Sequence, residues 1–352
     1  MKPNLILHIG TYKTGSTAIQ SYMRHNDEVL SNNGFLYPTF PGDRQSHTFL
    51  RAATAKALKS NAQDDLTGCI AAIAEQINRF TPKSVILSSE HFWPASPQLV
   101  KLMVSSLEHL FSTVDVVIYL RSQRDLWMSL YSQFAKGMRV LPSHSTWGTP
   151  EYCGKGIVEH GMHYANVLDG YHNASERLSV KARVYDRSLF PNRDVVSDFA
   201  TACGISTDML AKPSDDDANE SLAWKAVEFS KALATYYYSD TPRRKKVAGV
   251  MRQSFSNANK LGYGEWIGKS PNYLTESQQD AIYHHYEVDN GRLSRDYFDS
   301  TNIFPKRDYL SVCPYSVEDI PSNEKKAVAD FLMSRIGDDD LKVALRHLNA
   351  IQ

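Results

Sequence analysis

The sequence predicts a P-loop-like α/β fold with three layers, αβα, in which the central layer is a mostly parallel sheet. A largely helical C-terminal part follows. Over residues 4–205, short runs rich in Val, Ile and Leu alternate with segments of helical periodicity. Continuous apolar runs are typical of strands that helices cover on both faces. A Gly- and Thr-rich turn follows the first apolar run, and beyond residue 206 the strand-like runs largely vanish.

Each element has its own signal in the sequence. The first strand runs directly into a glycine turn, the first helix ends near the Asn-Asn-Gly stop at 32–34, and Pro38 closes the short second strand. The predicted strands are 4–9, 35–37, 84–89, 115–120 and 178–185, and the helices between them are 17–30, 66–80, 99–111, 125–136, 158–171 and 195–203.

The C-terminal part contains the helical segments 221–238, 243–257, 276–297, 323–336 and 340–348. We therefore expect an α/β core over residues 1–212 and a helical part over 213–352 that packs on the same core and covers a substrate or cofactor. The Pro-, Ser-, His- and Gly-rich stretch 137–156 is longer than ordinary connections. Such loops often serve function, so we interpret it as a loop on the substrate side.

Composition excludes several classes of protein. Lys and Arg number 39 against 39 Asp and Glu, so we expect no nucleic-acid partner, and any bound anion must be held locally. The hydrophobic fraction of 42% excludes a disordered chain. The sequence shows no secretory signal or membrane span, which predicts a cytoplasmic protein. The four cysteines are scattered, which indicates neither a zinc site nor disulfides.

The turn from Gly10 to Thr17 lies between the first strand and the first helix, where backbone N–H groups and the helix dipole favour a phosphate or sulfate. Its GxxxxG spacing is that of a Walker A loop, but Ser16 stands where that motif has lysine. Here the lysine is Lys13, inside the loop. The alternative is a Gly/Ser/Thr turn with a capping hydroxyl.

A second candidate anion site follows the fourth strand. Arg121 ends that strand, and Ser129 follows eight residues later on the next helix. The guanidinium fork suits a phosphate, and no later strand supplies a Walker B Asp for magnesium. These residues predict a nucleotide with two separated anionic groups and no required metal. The alternative for Arg121 is an ion pair with Asp125 or a surface charge.

These two motifs together resemble the family of sulfotransferases, which have a P-loop-like fold and use 3′-phosphoadenosine 5′-phosphosulfate (PAPS) as sulfuryl donor. Residues 7–20, LHIGTYKTGSTAIQ, resemble the family's 5′-phosphosulfate loop, and residues 119–133, YLRSQRDLWMSLYSQ, resemble its 3′-phosphate signature. The resemblance continues weakly through 260–266 and 290–298. The opening LHIGTYKTGST and the helical tail resemble bacterial enzymes that act on carbohydrate or other hydroxyl acceptors.

The resemblance implies roles for individual residues. Lys13 would stabilise charge on the bridging oxygen as the sulfur–oxygen bond breaks. The N–H groups of Thr14 to Thr17 and the hydroxyls of Ser16 and Thr17 would hold the 5′-phosphate. Arg121 and Ser129 would hold the 3′-phosphate of PAPS and of its product, 3′,5′-bisphosphoadenosine (PAP), and Tyr185 would lie near the adenine. A strand-end tyrosine in the core is the alternative for Tyr185. The predicted cofactor-binding set is Thr11, Tyr12, Lys13, Thr14, Gly15, Ser16, Thr17, Arg121, Ser129 and Tyr185.

Transfer to an alcohol requires a base that takes the hydroxyl proton. Glu90 is our first choice because it ends the third strand at the ligand-binding edge of the sheet, where the cytosolic aryl enzymes of the family carry a His. The alternative is that Glu90 pairs with a cation such as Lys13. His47 is the rival base or a substrate contact, and its alternative is an exposed loop histidine. We discount His91, which points to the other side if the strand continues, and interpret His8 as a core residue.

The acceptor is predicted only as a hydroxyl compound, such as a carbohydrate. Ser88 stands where cytosolic relatives have a second lysine, which argues against the small-phenol branch. Residues 236–238 and 243–246 could line a groove for an anionic glycan, or simply face solvent. Two other functions remain open: a P-loop kinase that binds magnesium ATP, and a nucleotide-binding protein without catalysis.

Overall fold

The computed structural model describes residues 1–40, 45–60, 63–139, 161–213, 221–237 and 241–351. The chain divides into two compact units. The core unit comprises Met1–Gln123, Cys153–Asp215 and His284–Lys306, and the helical unit comprises Arg124–Tyr152, Asp216–Tyr283 and Arg307–Gln352. The predicted substrate-side loop lies outside the described residues from position 140 on. The division after residue 212 stays a prediction.

The core unit contains a five-stranded sheet in the order β2-β3-β1-β4-β5. Its strands are β1 (Asn4–His8), β2 (Phe35–Leu36), β3 (Ser84–Ser88), β4 (Val114–Leu120) and β5 (Leu178–Val184). All neighbouring strands are parallel, and the register places Leu5 between Val85 of β3 and Val114 of β4. β1, β3 and β4 are almost fully buried, whereas the edge strand β5 buries only Leu178. The predicted α/β class with a parallel sheet is confirmed.

Helices cover both faces of this sheet. They are α1 (Ser16–His25), α2 (Asp27–Asn32), α3 (Thr48–Ser60), α4 (Asp64–Phe80), α5 (Pro97–Leu107), α7 (Tyr164–His172) and α8 (Val195–Ala202), whereas α6 (Gln123–Lys136) belongs to the helical unit from its second residue on. α1 packs against α8 and α2, whereas α3, α4, α5 and α7 pack together in the other layer. The loop after β1 therefore leaves toward one face and the loop after β3 toward the other. Such a change of direction creates a ligand-binding crevice at the carboxyl edge of the sheet.

Two helices of the core unit differ from the prediction. The expected helix 17–30 is two helices that meet at Asn26, whose amide donates to Tyr22 O and accepts from the N–H of Ala211. The Asn26 side chain thus connects the junction of the two helices to the backbone of residue 211. Helix α3 was not predicted. Its Ala, Leu, Lys and Arg residues are strong helix formers, and it buries Leu50, Ala53 and Ala57 along one face.

The helical unit contains α6 from Arg124 onward, α9 (Trp224–Tyr236), α10 (Thr241–Lys260), the first part of α11 (Glu276–Phe298), α12 (Ser322–Arg335) and α13 (Asp339–His347). All five predicted C-terminal helices are present. Trp266 stacks on Phe255 with ring centroids 5.3 Å apart in the interior of this unit. Among the described residues, no helix has the length and apolar character of a membrane span.

Candidate active site at the carboxyl edge of the sheet

The glycine loop is attached by its backbone to β4. The N–H of Tyr119 donates to Gly10 O at 2.8 Å, and the N–H of Thr11 donates back to Tyr119 O at 3.1 Å. The hydroxyl of Thr11 donates to the same carbonyl at 3.1 Å. These bonds continue the β1–β4 pairing past the end of β1. The position of the loop is therefore set by the strand that ends in Arg121.

The loop then turns sharply into α1. Gly15 is the residue before the helix, with φ 82°, and a Cβ there would lie 2.7 Å from Cγ1 of Val195 on α8. Only glycine combines this backbone conformation with so close a contact. The hydroxyls of Thr14 and Ser16 donate to Thr11 O at 2.8 and 3.3 Å. Because Gly15 has no side chain, it does not cap the first N–H groups of α1. Thr17 is exposed beside these groups.

Lys13 and Arg121 form a positively charged pair at the ends of neighbouring strands. Nη1 of Arg121 donates to Lys13 O at 3.3 Å, and Lys13 is partly buried with φ 62°. Burial lowers the pKa of the Lys13 ammonium, and the charge of Arg121 lowers it further. Two like charges in a partly buried loop repel each other unless an anion joins them. The pair of cations predicted from the sequence is thus brought together.

Tyr185 follows β5 and contacts Arg121. The guanidinium carbon of Arg121 lies 6.0 Å from the centroid of the Tyr185 ring, and the N–H of Tyr185 donates to Leu120 O at 2.7 Å. The other edge of the ring meets Phe190 in the core at a centroid distance of 5.6 Å. Tyr185 therefore fills part of the core and also supports Arg121. Its predicted contact with adenine stays a prediction.

Glu90 lies directly against the glycine loop. A Cβ at Gly10 would be 2.9 Å from the Cα of Glu90. The amide nitrogen of Gln20, on α1, donates to Oε2 of Glu90 at 3.1 Å and lies 3.3 Å from the hydroxyl of Ser88. Gln20 is buried, so it orients the carboxylate from the side of the loop helix. The structure thus brings Glu90 and the loop together.

His8 and Ser88 extend this hydrogen-bonded chain into the sheet. Nδ1 of His8 lies 2.7 Å from the Ser88 hydroxyl, and burial lowers the pKa of His8 to about 3, so the ring is neutral. If Gln20 donates to Ser88, the Ser88 proton goes to Nδ1 and the His8 proton is on Nε2. Nε2 is buried and has no hydrogen-bond partner among the described residues. His8 is a core residue, as the sequence predicted.

His47 is buried rather than exposed in a loop. It directly precedes α3, and its Nδ1 accepts a hydrogen bond from the N–H of Ser88 at 2.9 Å. The proton must then be on Nε2, which lies 3.0 Å from Pro38 O and donates to it. Burial lowers the pKa of His47 to about 4, although the hydrogen bond to Pro38 acts to raise it. Since backbone groups occupy both nitrogens, the geometry favours Glu90 over His47 as the base.

Sequence reasoning selected Tyr12 for the cofactor site but missed the side chains after Glu90 that Tyr12 contacts. The hydroxyl of Tyr12 lies 3.1 Å from Nδ1 of His91, and its ring meets Trp93 edge-on at 5.0 Å. Burial raises the pKa of Tyr12, the charge of Glu90 adds to the rise, and the charge of Arg51 opposes it. We discounted His91 on the premise that the strand continues. β3 ends at Ser88, so the alternation of side chains stops before His91.

Two predicted features belong to the helical unit. Ser129 is a partly exposed residue of α6 in the helical unit, and its role at the 3′-phosphate stays a prediction. No group of three or more His, Cys, Asp or Glu side chains within the described ranges could hold a metal ion. The charge run at 243–246 lies on α10, where Arg243, Lys245 and Lys246 are exposed.

Comparison with known proteins finds one structure of related shape. No protein-family model matches the sequence, and no curated protein matches it either. A sulfotransferase from Alicyclobacillus acidocaldarius is 14% identical, with a TM-score of 0.45 over 84% of this chain and 96% of that chain. The fold assignment given above rests on the strand order and register of the chain itself, and not on this likeness.

Proposed function

We propose that the chain is a sulfotransferase that moves a sulfuryl group from PAPS to an acceptor hydroxyl. The observation that carries the proposal is the convergence of three strand ends. Lys13 follows β1, Arg121 ends β4 and contacts the Lys13 carbonyl, and Glu90 follows β3 and lies against Gly10. Two cations and a carboxylate on one crevice are the charges that this transfer requires. The acceptor is proposed to be a carbohydrate or another alcohol, and the protein to be cytoplasmic.

The loop residues fit an anionic donor. The partly buried Lys13 and Arg121 lie close enough for Arg121 to lower the pKa of Lys13, and a bound phosphosulfate would reverse that repulsion. The N–H groups at the start of α1 point toward the same anion and need no metal to bind it. On this proposal, residues 14–17 hold the 5′-phosphate, while Arg121 and Ser129 hold the 3′-phosphate.

The residues of the crevice divide the reaction between them. Glu90 takes the proton of the acceptor hydroxyl as the acceptor oxygen forms its bond to sulfur. Lys13 stabilises the bridging oxygen, which keeps the electron pair of the breaking sulfur–oxygen bond and leaves with PAP. Gln20 keeps the Glu90 carboxylate turned toward the loop. The proton, the sulfuryl group and the electron pair are thereby all accounted for.

The test combines PAP binding with transfer from labelled PAPS. We expect PAP to bind equally with and without EDTA, and Lys13→Met and Glu90→Gln each to reduce transfer by about 100-fold or more. Lys101→Met, at an exposed position of α5, is the control and should leave transfer unchanged. Near-normal transfer by Lys13→Met would show that the catalytic assignment is wrong.

The same experiments separate the two other functions. Tight magnesium-dependent ATP binding without PAP binding would indicate the kinase. PAP binding without transfer to a broad panel of carbohydrates, phenols and lipids would indicate a non-catalytic nucleotide-binding protein.

A further inference from the structure

Arg51 lies on the unpredicted helix α3, in the turn that follows Thr48. The start of this helix is attached to the end of β3: the N–H of His47 donates to Ser88 O at 2.9 Å, and the hydroxyls of Thr48 and Ser89 are 2.9 Å apart. Residues three apart on a helix share a face, so Arg51 follows Thr48 on the side that meets Ser89. Ser89 directly precedes Glu90, so this face of α3 meets the chain next to the candidate base.

The charge of Arg51 acts on two tyrosines of the same region. It opposes the rise in the pKa of the Tyr12 phenol, to which burial and Glu90 contribute. It also opposes the rise that burial causes in the pKa of Tyr171, whose hydroxyl donates to Phe92 O at 2.8 Å. The guanidinium therefore lies near both the loop residue Tyr12 and the segment that follows Glu90.

Within the described ranges, no acidic side chain forms an ion pair with the Arg51 guanidinium. Nε of Arg51 is buried without a hydrogen-bond partner, and Arg51 forms no ion pair with any residue that the structure describes. Arg183, in contrast, forms a two-point pair with Asp198. A buried guanidinium nitrogen without a hydrogen-bond partner is unfavourable, and the planar fork of an arginine fits a carboxylate with two parallel hydrogen bonds.

Arg51 is carried by a different helix layer from the helix that follows the donor loop. The donor loop leads into α1 in one helix layer, whereas α3 belongs to the other layer with α4 and α5. Glu90 lies between them, because Gln20 of α1 contacts its carboxylate and the start of α3 contacts the residue before it. A group bound by Arg51 would therefore reach Glu90 from the side of α3, whereas Gln20 contacts the carboxylate from the side of α1.

We propose that Arg51 binds a carboxylate of the acceptor, so that the substrate is a hydroxyl compound carrying a carboxylic acid. The proposal rests on the proposed sulfuryl transfer and specifies its acceptor. Arg51 and Glu90 then have separate tasks: Arg51 holds the acceptor by its acid group, and Glu90 removes the proton of its hydroxyl.

Matched acceptors with and without the acid test the proposal. The first pair is methyl β-glucuronide and its neutral carboxamide, and the second is 4-hydroxybenzoate and 4-hydroxybenzamide. Hydrogen bonds to charged groups predict that wild type prefers the acid by about tenfold or more in kcat/KM. Arg51→Gln should remove the preference mainly through KM, and Arg51→Lys should restore part of it. Arg79→Gln, at an exposed position of α4, is the control.

Calorimetry on the PAP complex makes the test independent of turnover. At least one of the two carboxylates should bind more tightly than its neutral match, and Arg51→Gln should abolish the difference while PAP still binds. Equal binding of acid and neutral probes by wild type overturns the proposal. An equal loss of transfer to both members of a pair in Arg51→Gln also overturns it, because Arg51 would then act on the sulfuryl group. Failure of wild type to bind PAP would instead refute the proposed function itself.

Discussion

Replacing Gly10 by alanine tests the contact between the glycine loop and the candidate base. Gly10 has φ +98°, and the new Cβ would lie 2.9 Å from the Cα of Glu90 and 3.1 Å from its Cβ. The left-handed backbone costs about 1–2 kcal/mol for an L-residue. Backbone atoms cannot move aside as a flexible side chain can, so the overlap adds about 1–3 kcal/mol. We expect a total loss of about 2–5 kcal/mol in the free energy of unfolding.

Gly204 provides a matched control in the same unit. It has φ +71°, but a Cβ there would meet no atom within 4 Å. Gly204→Ala therefore carries the backbone cost alone, and the difference between the two variants isolates the overlap. Urea unfolding followed by circular dichroism should place the Gly10→Ala midpoint about 0.5 M or more below that of Gly204→Ala. PAP affinity should fall only in Gly10→Ala. Equal midpoints would refute the close contact between the loop and Glu90.

Further predictions concern stability and its pH dependence. The pKa of His47 is about 4 in the folded chain and near 6.5 when unfolded, so the unfolded chain binds more protons between these values and stability falls as pH falls from about 6.5 to 4. His47→Gln should lower the urea midpoint at pH 7, and the midpoint should then fall less on acidification than in wild type. If the midpoint of this variant falls with pH as steeply as that of wild type, His47 is not the group responsible. Asp198 is buried and pairs with Arg183 and Tyr119, so Asp198→Asn should lower the free energy of unfolding by about 1–3 kcal/mol in urea titrations. Lys181→Gln breaks the more exposed pair with Asp115 on the same sheet. It should change the free energy of unfolding by less than about 1 kcal/mol. Similar losses in the two variants would show that burial does not strengthen the Asp198 pair.

Most of the fold was predictable because its signals are local. The apolar runs at 84–89 and 115–120 indicate buried strands wherever they occur in the chain, and the observed strands Ser84–Ser88 and Val114–Leu120 differ by about a residue. The break at Asn26 was missed because the Asn side chain bonds to Ala211, which is distant in sequence. Helix α3 was missed although its alanines, leucines and lysines are good helix formers.

The candidate site was predictable to a smaller extent. A lysine inside a glycine loop and an arginine directly after a strand can be recognised from their positions in short motifs. Lys13 and Arg121 could therefore be selected from the sequence. The choice between Glu90 and His47 could not be made in that way. It depends on which backbone groups occupy the imidazole nitrogens, and these come from Ser88 and Pro38.

By itself, the sequence determined the parallel α/β class, the glycine loop with its internal lysine and the arginine after β4, because periodicity, turn chemistry and spacing are properties of short segments. Only the tertiary structure decided that Gly10 contacts Glu90, that His47 is enclosed by backbone groups and that Nε of Arg51 is buried without a hydrogen-bond partner among the described residues. These facts depend on the order of strands in the sheet and on the layer that each helix joins. Side chains far apart in the chain meet only when the strands pair and the helices pack.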